Sequence, residues 1–191
     1  ETYKYRLTLV NDLGLNWITL SHGGKFHTIF ATSSISEAIQ YYKIFRSSYP
    51  ELHVATLYDN SIDNLGDASV VKEEETIAML TDYNNQFGTH FTMARYAKYK
   101  KDVAARLAHK EPYIGVENVP EKRLDVLIVV DQMLTGYDSK WVNTLFLDKK
   151  LRYENIIQAF SRTNRLFGPD KPFGNIRYYR YPHTMERNIE A

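Results

Sequence analysis

Apolar residues fall along this chain in short, nearly continuous runs, separated by stretches in which they recur every third or fourth position. HTIFATSS (27–34) is an apolar strand running into small hydroxylated residues. Ser34 stands three before Glu37, a capping box that starts a helix through roughly Phe45, and Ser-Tyr-Pro at 48–50 ends it. HVATLY (53–58) predicts a second strand, and the Asp-, Asn- and Gly-rich stretch 59–69 a loop. Ile77, Leu80, Tyr83 and Phe87 lie near a 3.6-residue period, which predicts a charged helix from about Val71 to Phe87. Met93, Tyr96, Ala97, Val103, Ala104 and Leu107 mark another helix across 92–108.

RLDVLIVVDQ (123–132) is rich in β-branched residues and reads as a strand buried on both faces. NTLFLD (143–148) is a second such strand, and IRYYRY (176–181), with more polar alternation, a third nearer an edge. A helix between these last two ends at Gly168-Pro169. Strands alternating with helices predict an α/β domain whose mainly parallel sheet carries helices on both faces. In the first 24 residues, LTLV and WITL each fit a strand or edge extension.

Composition narrows the class. The chain has 191 residues, 43% of them hydrophobic and 25% charged, which excludes a disordered tail. Net charge is only +1, so any nucleic-acid site must be a local patch. Without cysteine, disulfides and thiolate chemistry are ruled out. The six histidines lack metal-ligand spacing, and no metal site is expected. No run approaches 18 apolar residues and no signal-peptide pattern opens the chain; the expectation is a cytoplasmic protein with no membrane partner. With no initiator methionine, it reads as a piece of something larger.

The last predicted helix carries the chemistry. In IIQAFSRTNR (156–165), Ile156, Ile157 and Phe160 form a core stripe. Gln158, Arg162 and Arg165 fall within roughly 60° of one another on a different face, with no acid among them. Two arginines at i, i+3 repel one another unless an anion lies between them. On the spacing alone, a solvated basic face near a helix C-terminus is the favoured explanation. The preceding strand adds weight to the anion. Asp131 stands at its carboxyl end, where ligands of open α/β sheets bind, and the following turn holds Thr135, Gly136 and Asp138. Gly136 lets backbone approach a ligand, Thr135 offers a hydroxyl, and Asp138 can accept from a ribose or orient an arginine.

Together these strings resemble the second motor domain of superfamily-2 helicases and translocases. VVDQMLTGYD is similar to their motif V, QAFSRTNR to motif VI and HTIFATSS to motif IV. The narrower resemblance is to the restriction subunit of type I restriction–modification enzymes, through DQMLTGYDSKW and IIQAFSRTNR…GPDKPFG, and it runs from about Phe26 to the C-terminus. It implies a RecA-like (P-loop NTPase-like) three-layer domain over 26–191, with 1–25 as an extension or linker. An upstream RecA-like lobe would hold ATP and Mg2+, and double-stranded DNA would lie across both lobes. A nuclease domain of the same chain, and separate modification and specificity subunits, would be the other partners.

On that resemblance Arg165 is the candidate arginine finger and Arg162 the second phosphate contact, with Gln158 opening the motif. Gly136 and Asp138, following Asp131, would couple nucleotide to DNA. Ser33 and Thr135 would contact the DNA backbone, with Thr32 a second candidate. The activity implied is ATP-dependent DNA translocation within a type I restriction endonuclease. Another superfamily-2 motor lobe, or a non-catalytic phosphate-binding module, remains the alternative.

No GxxxxGK[ST] or DEAD-like string occurs, and no nuclease pattern is recognisable, so this piece alone is expected to be inactive. GGK at 23–25 reads as a turn before a strand, and Lys98, Lys100 and Lys101 as a solvated helix face. Tyr83, Tyr96 and Tyr153 fit core stripes, and Tyr178, Tyr179 and Tyr181 an edge strand.

Overall fold

The computed structural model describes residues 2–59, 68–130, 139–148, 165, 167–171 and 174–180. Within them, β1 (His27–Thr32), β2 (Val54–Leu57), β3 (Val126–Val130), β4 (Val142–Asp148) and β5 (Asn175–Tyr178) form one sheet in the order β2-β3-β1-β4-β5. Every pairing is parallel. The helices are α1 (Tyr3–Leu15), α2 (Trp17–Leu20), α3 (Ile35–Ser48), α4 (Ala68–Phe87) and α5 (Tyr96–Ala108). Single 3-10 turns occupy Met93–Arg95, Val116–Asn118 and Pro120–Lys122.

Strand alternation divides the core into two. On one face Ile29, Leu57, Leu127, Val129, Leu145 and Leu147 pack with Leu80 and Tyr83 of α4 and with Tyr99, Val103 and Leu107 of α5. On the other, Phe30, Val54, Val126, Ile128 and Phe146 pack against α1, α2 and α3. Phe30 and Phe146 are register partners on β1 and β4, stacked with centroids 5.9 Å apart. This is the three-layer RecA-like α/β architecture. The chain leaves β1 toward β2 over the α3 layer and returns to β3 over the α4/α5 layer, so both crossovers keep the same hand.

The predicted strands and the capped helix stand where expected. Ser34 caps α3, its hydroxyl accepting from the Glu37 N–H at 3.2 Å. Three readings change. The stretches LTLV and WITL are helical, inside α1 and as α2; a four-residue apolar window cannot separate the two periods, and Thr2 caps α1. Ile77 is 47% exposed, because the buried face of α4 runs through Thr76, Met79, Leu80 and Tyr83. On α5, Tyr99 is buried and Ala97 exposed. Strand β5, at the sheet edge, is half-buried throughout.

Leu9, Val10 and Leu13 of α1 are buried against the α3 side of the sheet, so the N-terminal helix is part of the core. Leu13→Ala is therefore expected to cost about 2–5 kcal/mol of stability in urea unfolding of the purified chain. A loss below about 0.5 kcal/mol would mean that α1 is a dispensable appendage.

Candidate functional site

The chain leaves β1 in one direction along the sheet and β4 in the other, so the carboxyl ends of these neighbours form the topological switch point. Thr32 closes β1. It is fully buried, and its hydroxyl lies 3.2 Å from the Val129 carbonyl and 3.3 Å from that of Ser34. Ser33, half-buried, is the hydroxyl nearer the surface. Its Oγ donates to the Asp148 carbonyl at 3.5 Å and accepts from Arg180 Nη1 at 3.4 Å, while its N–H donates to Glu37 Oε2 at 3.1 Å.

Asp148, at the end of β4, is 0% exposed. Its carboxylate accepts from Tyr5 at 2.9 Å, from the Tyr41 hydroxyl and from Arg180 Nε at 3.3 Å. Burial, and then the bond to Asp148, pushes the Tyr41 hydroxyl far above its ordinary range, so it stays a donor. Arg180 Nη2 also donates to Glu37 Oε1 at 3.0 Å. One guanidinium thus joins Ser33, Glu37 and Asp148. Neither Asp148 nor Arg180 stood among the sequence candidates. The available signal was an acid ending a buried apolar run, the same signal that singled out Asp131.

Arg165 is exposed. Its charge is felt by Lys171, which donates to the carbonyls of Lys140 at 3.0 Å and Val142 at 2.6 Å, at the amino end of β4. Burial first, then Arg165, brings the Lys171 ammonium down to about 8. Phe167 packs on Trp141 with centroids 4.6 Å apart, and the ammoniums of Lys25 and Lys140 stand 4.9 and 4.8 Å from its ring. Lys25 pairs with Asp170. A cavity of about 430 Å³ opens here, lined by Gly23, Lys25, Glu117, Asn118, Trp141 and Phe167. Arg165 and Ser33 are therefore not brought together. Gln158, Arg162, Asp131, Thr135, Gly136 and Asp138 lie outside the described residues.

Residues 24–181 match the family model described as type I restriction enzyme subunit R domain 3. The chain belongs to this family. The R-subunit domain is 34% identical over 163 residues to the endonuclease subunit of a type I restriction enzyme from Staphylococcus aureus (strain COL), covering 82% of this chain and 17% of the relative. A counterpart from Staphylococcus saprophyticus is 34% identical over 164 residues, with the same coverage of each. A putative type I endonuclease subunit from Methanocaldococcus jannaschii is 42% identical over 67 residues, 35% of this chain and 6% of that protein. The R-subunit domain thus spans about a sixth of the length of the first two relatives.

Among the described residues of the R-subunit domain, no group of three or more His, Cys, Asp or Glu is placed to hold a metal ion. No helix there is long and apolar enough to cross a membrane. GGK is a turn before β1, with Gly23 at φ 71° and Gly24 at φ 86°. A Cβ on Gly24 would stand 2.3 Å from the Arg123 guanidinium. Lys98 and Lys101 are exposed on α5 and Lys100 is half-buried.

Beside the cavity, His27 and His109 meet through their Nε2 atoms at 2.7 Å, and His109 stacks on Trp141 at 3.9 Å. The Leu124 carbonyl facing His27 Nδ1 can only accept, so Nδ1 carries the proton and Nε2 accepts from His109. Burial, reinforced by His109, lowers the His27 pKa from 6.5 to about 3. The unfolded chain therefore takes up a proton near pH 6.5 that the folded domain refuses. The stability associated with neutral His27 is complete above that pH and lost on acidification. Between pH 7 and 5, the domain should lose about 2 kcal/mol more than a His27→Gln variant, as measured by urea unfolding. Equal losses in both proteins would refute the buried neutral imidazole.

Proposed function

We propose that this domain is the second motor lobe of the R subunit, contributing phosphate-facing arginines to ATP held by an upstream lobe and gripping the backbone of duplex DNA. Family membership and the RecA-like sheet support the motor reading. The observation that carries the nucleotide side is Arg165, exposed near the amino end of β4, where Lys171 bonds the carbonyls of Lys140 and Val142. An exposed guanidinium beside an ammonium held by carbonyls suits a polyphosphate.

In this reading Arg165 and Arg162 meet the terminal phosphates, and Gln158 orients them or a water. Asp131, Gly136 and Asp138 would link nucleotide to DNA. Ser33 and Thr135 contact the DNA backbone through bonds that carry no sequence information, which suits a motor that must pass over any sequence. Of the two hydroxyls closing β1, Ser33 is the DNA contact, because the hydroxyl of Thr32 is buried on carbonyls within the sheet. ATP with Mg2+, when bound, supplies the free energy of movement. The nuclease domain, and the modification and specificity subunits, are the partners this motor would serve, with cleavage as the outcome.

Arg165→Ala in the complete subunit should lower ATP turnover about a thousandfold while leaving most of the nucleotide affinity. Unchanged turnover with weaker DNA binding would instead make the domain a passive phosphate-gripping module. The purified chain, which lacks a phosphate loop, should show no magnesium-dependent ATP hydrolysis. Stoichiometric turnover by it would contradict the proposal.

A further inference from the structure

We infer that Arg180 and Ser33 form a single clamp for a DNA-backbone phosphate, and that the Glu37 carboxylate occupies that clamp as an internal competitor when DNA is absent. This rests on the reading that Ser33 grips the backbone, and it adds a cation and a regulator to that grip. The geometry is that of an anion site already filled by an anion. Glu37 takes the Ser33 N–H at 3.1 Å with one oxygen and Arg180 Nη2 at 3.0 Å with the other. Arg180 Nη1 reaches the Ser33 hydroxyl at 3.4 Å. Backbone N–H, hydroxyl and guanidinium together are the donor set that a phosphate takes.

Among the described residues, Asp148 and Glu37 both meet Arg180 and play different parts. Asp148 has no exposed surface and also accepts from Tyr5 and Tyr41, so it is a fixed anchor that orients the guanidinium through Nε. Glu37 keeps 17% of its side chain exposed beside the 19% of Arg180, and it sits on the outer donors. A phosphate arriving at Ser33 displaces Glu37 and leaves Asp148 in place. The carboxylate therefore weakens binding to any anion while keeping the donors oriented.

The test uses the complete R subunit and fluorescent duplex DNA, with affinity measured across a salt series. Glu37→Gln keeps an oxygen for the Ser33 N–H, since glutamine serves the capping box as glutamate does, but removes the competing charge. It should tighten DNA binding about two- to fivefold. Arg180→Gln should reduce the slope of log affinity against log salt by about 0.9, the signature of one lost phosphate contact, and Arg180→Lys should restore that slope. Unchanged or weaker binding by Glu37→Gln, or an unaltered slope in Arg180→Gln, overturns the clamp. Because Arg180→Gln strips a buried carboxylate of its cation, the Glu37→Gln arm decides if that variant fails to fold. Ser33→Ala tests the underlying reading separately: it should weaken binding without altering the slope, because a neutral hydroxyl releases no counterion. No weakening there removes the Ser33 grip whatever Arg180 does.

Discussion

A carboxylate shut away from water costs several kcal/mol unless its oxygens are supplied with donors, and Asp148 is such a group at the end of a central strand. Its donors come from three separate parts of the chain: Tyr5 on α1, Tyr41 on α3, and Arg180 just beyond β5. None of the three can be withdrawn without leaving charge or lone pairs unsatisfied. The N-terminal helix, the capped helix and the edge strand are thereby tied to one atom group, and the carboxyl edge of the sheet becomes rigid. Burial of Leu9, Val10 and Leu13 draws α1 to the same layer by a non-directional force; the Tyr5 bond gives the contact its register.

Rigidity there bears on the relation between the two ends of the sheet. Ser33 and Arg180 belong to the carboxyl edge, whereas Arg165, Lys171 and Phe167 gather at the amino edge. Strands β1 and β4 run between them, buried on both faces along their length. Close-packed strands of this kind transmit displacement and do not absorb it. On the proposed function, a change at the nucleotide surface reaches the DNA surface as movement of the whole lobe. The bistable element is then the relation between lobes, with no hinge needed inside this one.

The readable parts of the sequence were those where one local pattern has one cheap solution. The runs VLIVV and NTLFLD make sense only as strands covered on both sides, and Ser34 with Glu37 marks a helix start on its own. LTLV and WITL did not, because over four residues alternation and helical spacing coincide, and the choice was made by burial in the core on the α3 side of the sheet. Ile77 was misplaced by a shift of one residue in the buried face of α4. The Asp148 and Arg180 cluster was invisible for a different reason. Its contacts join residues 143, 107 and 32 positions apart, and nothing local in RYYRY sets Arg180 apart from Arg177, which pairs with Asp12. Resemblance strings pointed to Ser33 and Arg165 but were silent on the groups that hold Ser33 in place.

The chemistry at the amino edge also bears on why arginine and not lysine stands at position 165. Lys171 is held by two carbonyls with no carboxylate among those contacts, and its ammonium is already brought down to about 8 by burial and by the neighbouring guanidinium. Two ammoniums in that field would each weaken the other's hold on its proton, and part of the positive charge would be lost near neutral pH. A guanidinium keeps its charge under the same repulsion and presents a planar fork to phosphate oxygens. The lysine is the member of the pair that can yield. Its bonds to Lys140 and Val142 fix the turn through Gly168 and Pro169, and a neutral amine still donates to those carbonyls. Charge is thus reserved for the exposed residue and hydrogen bonding for the buried one.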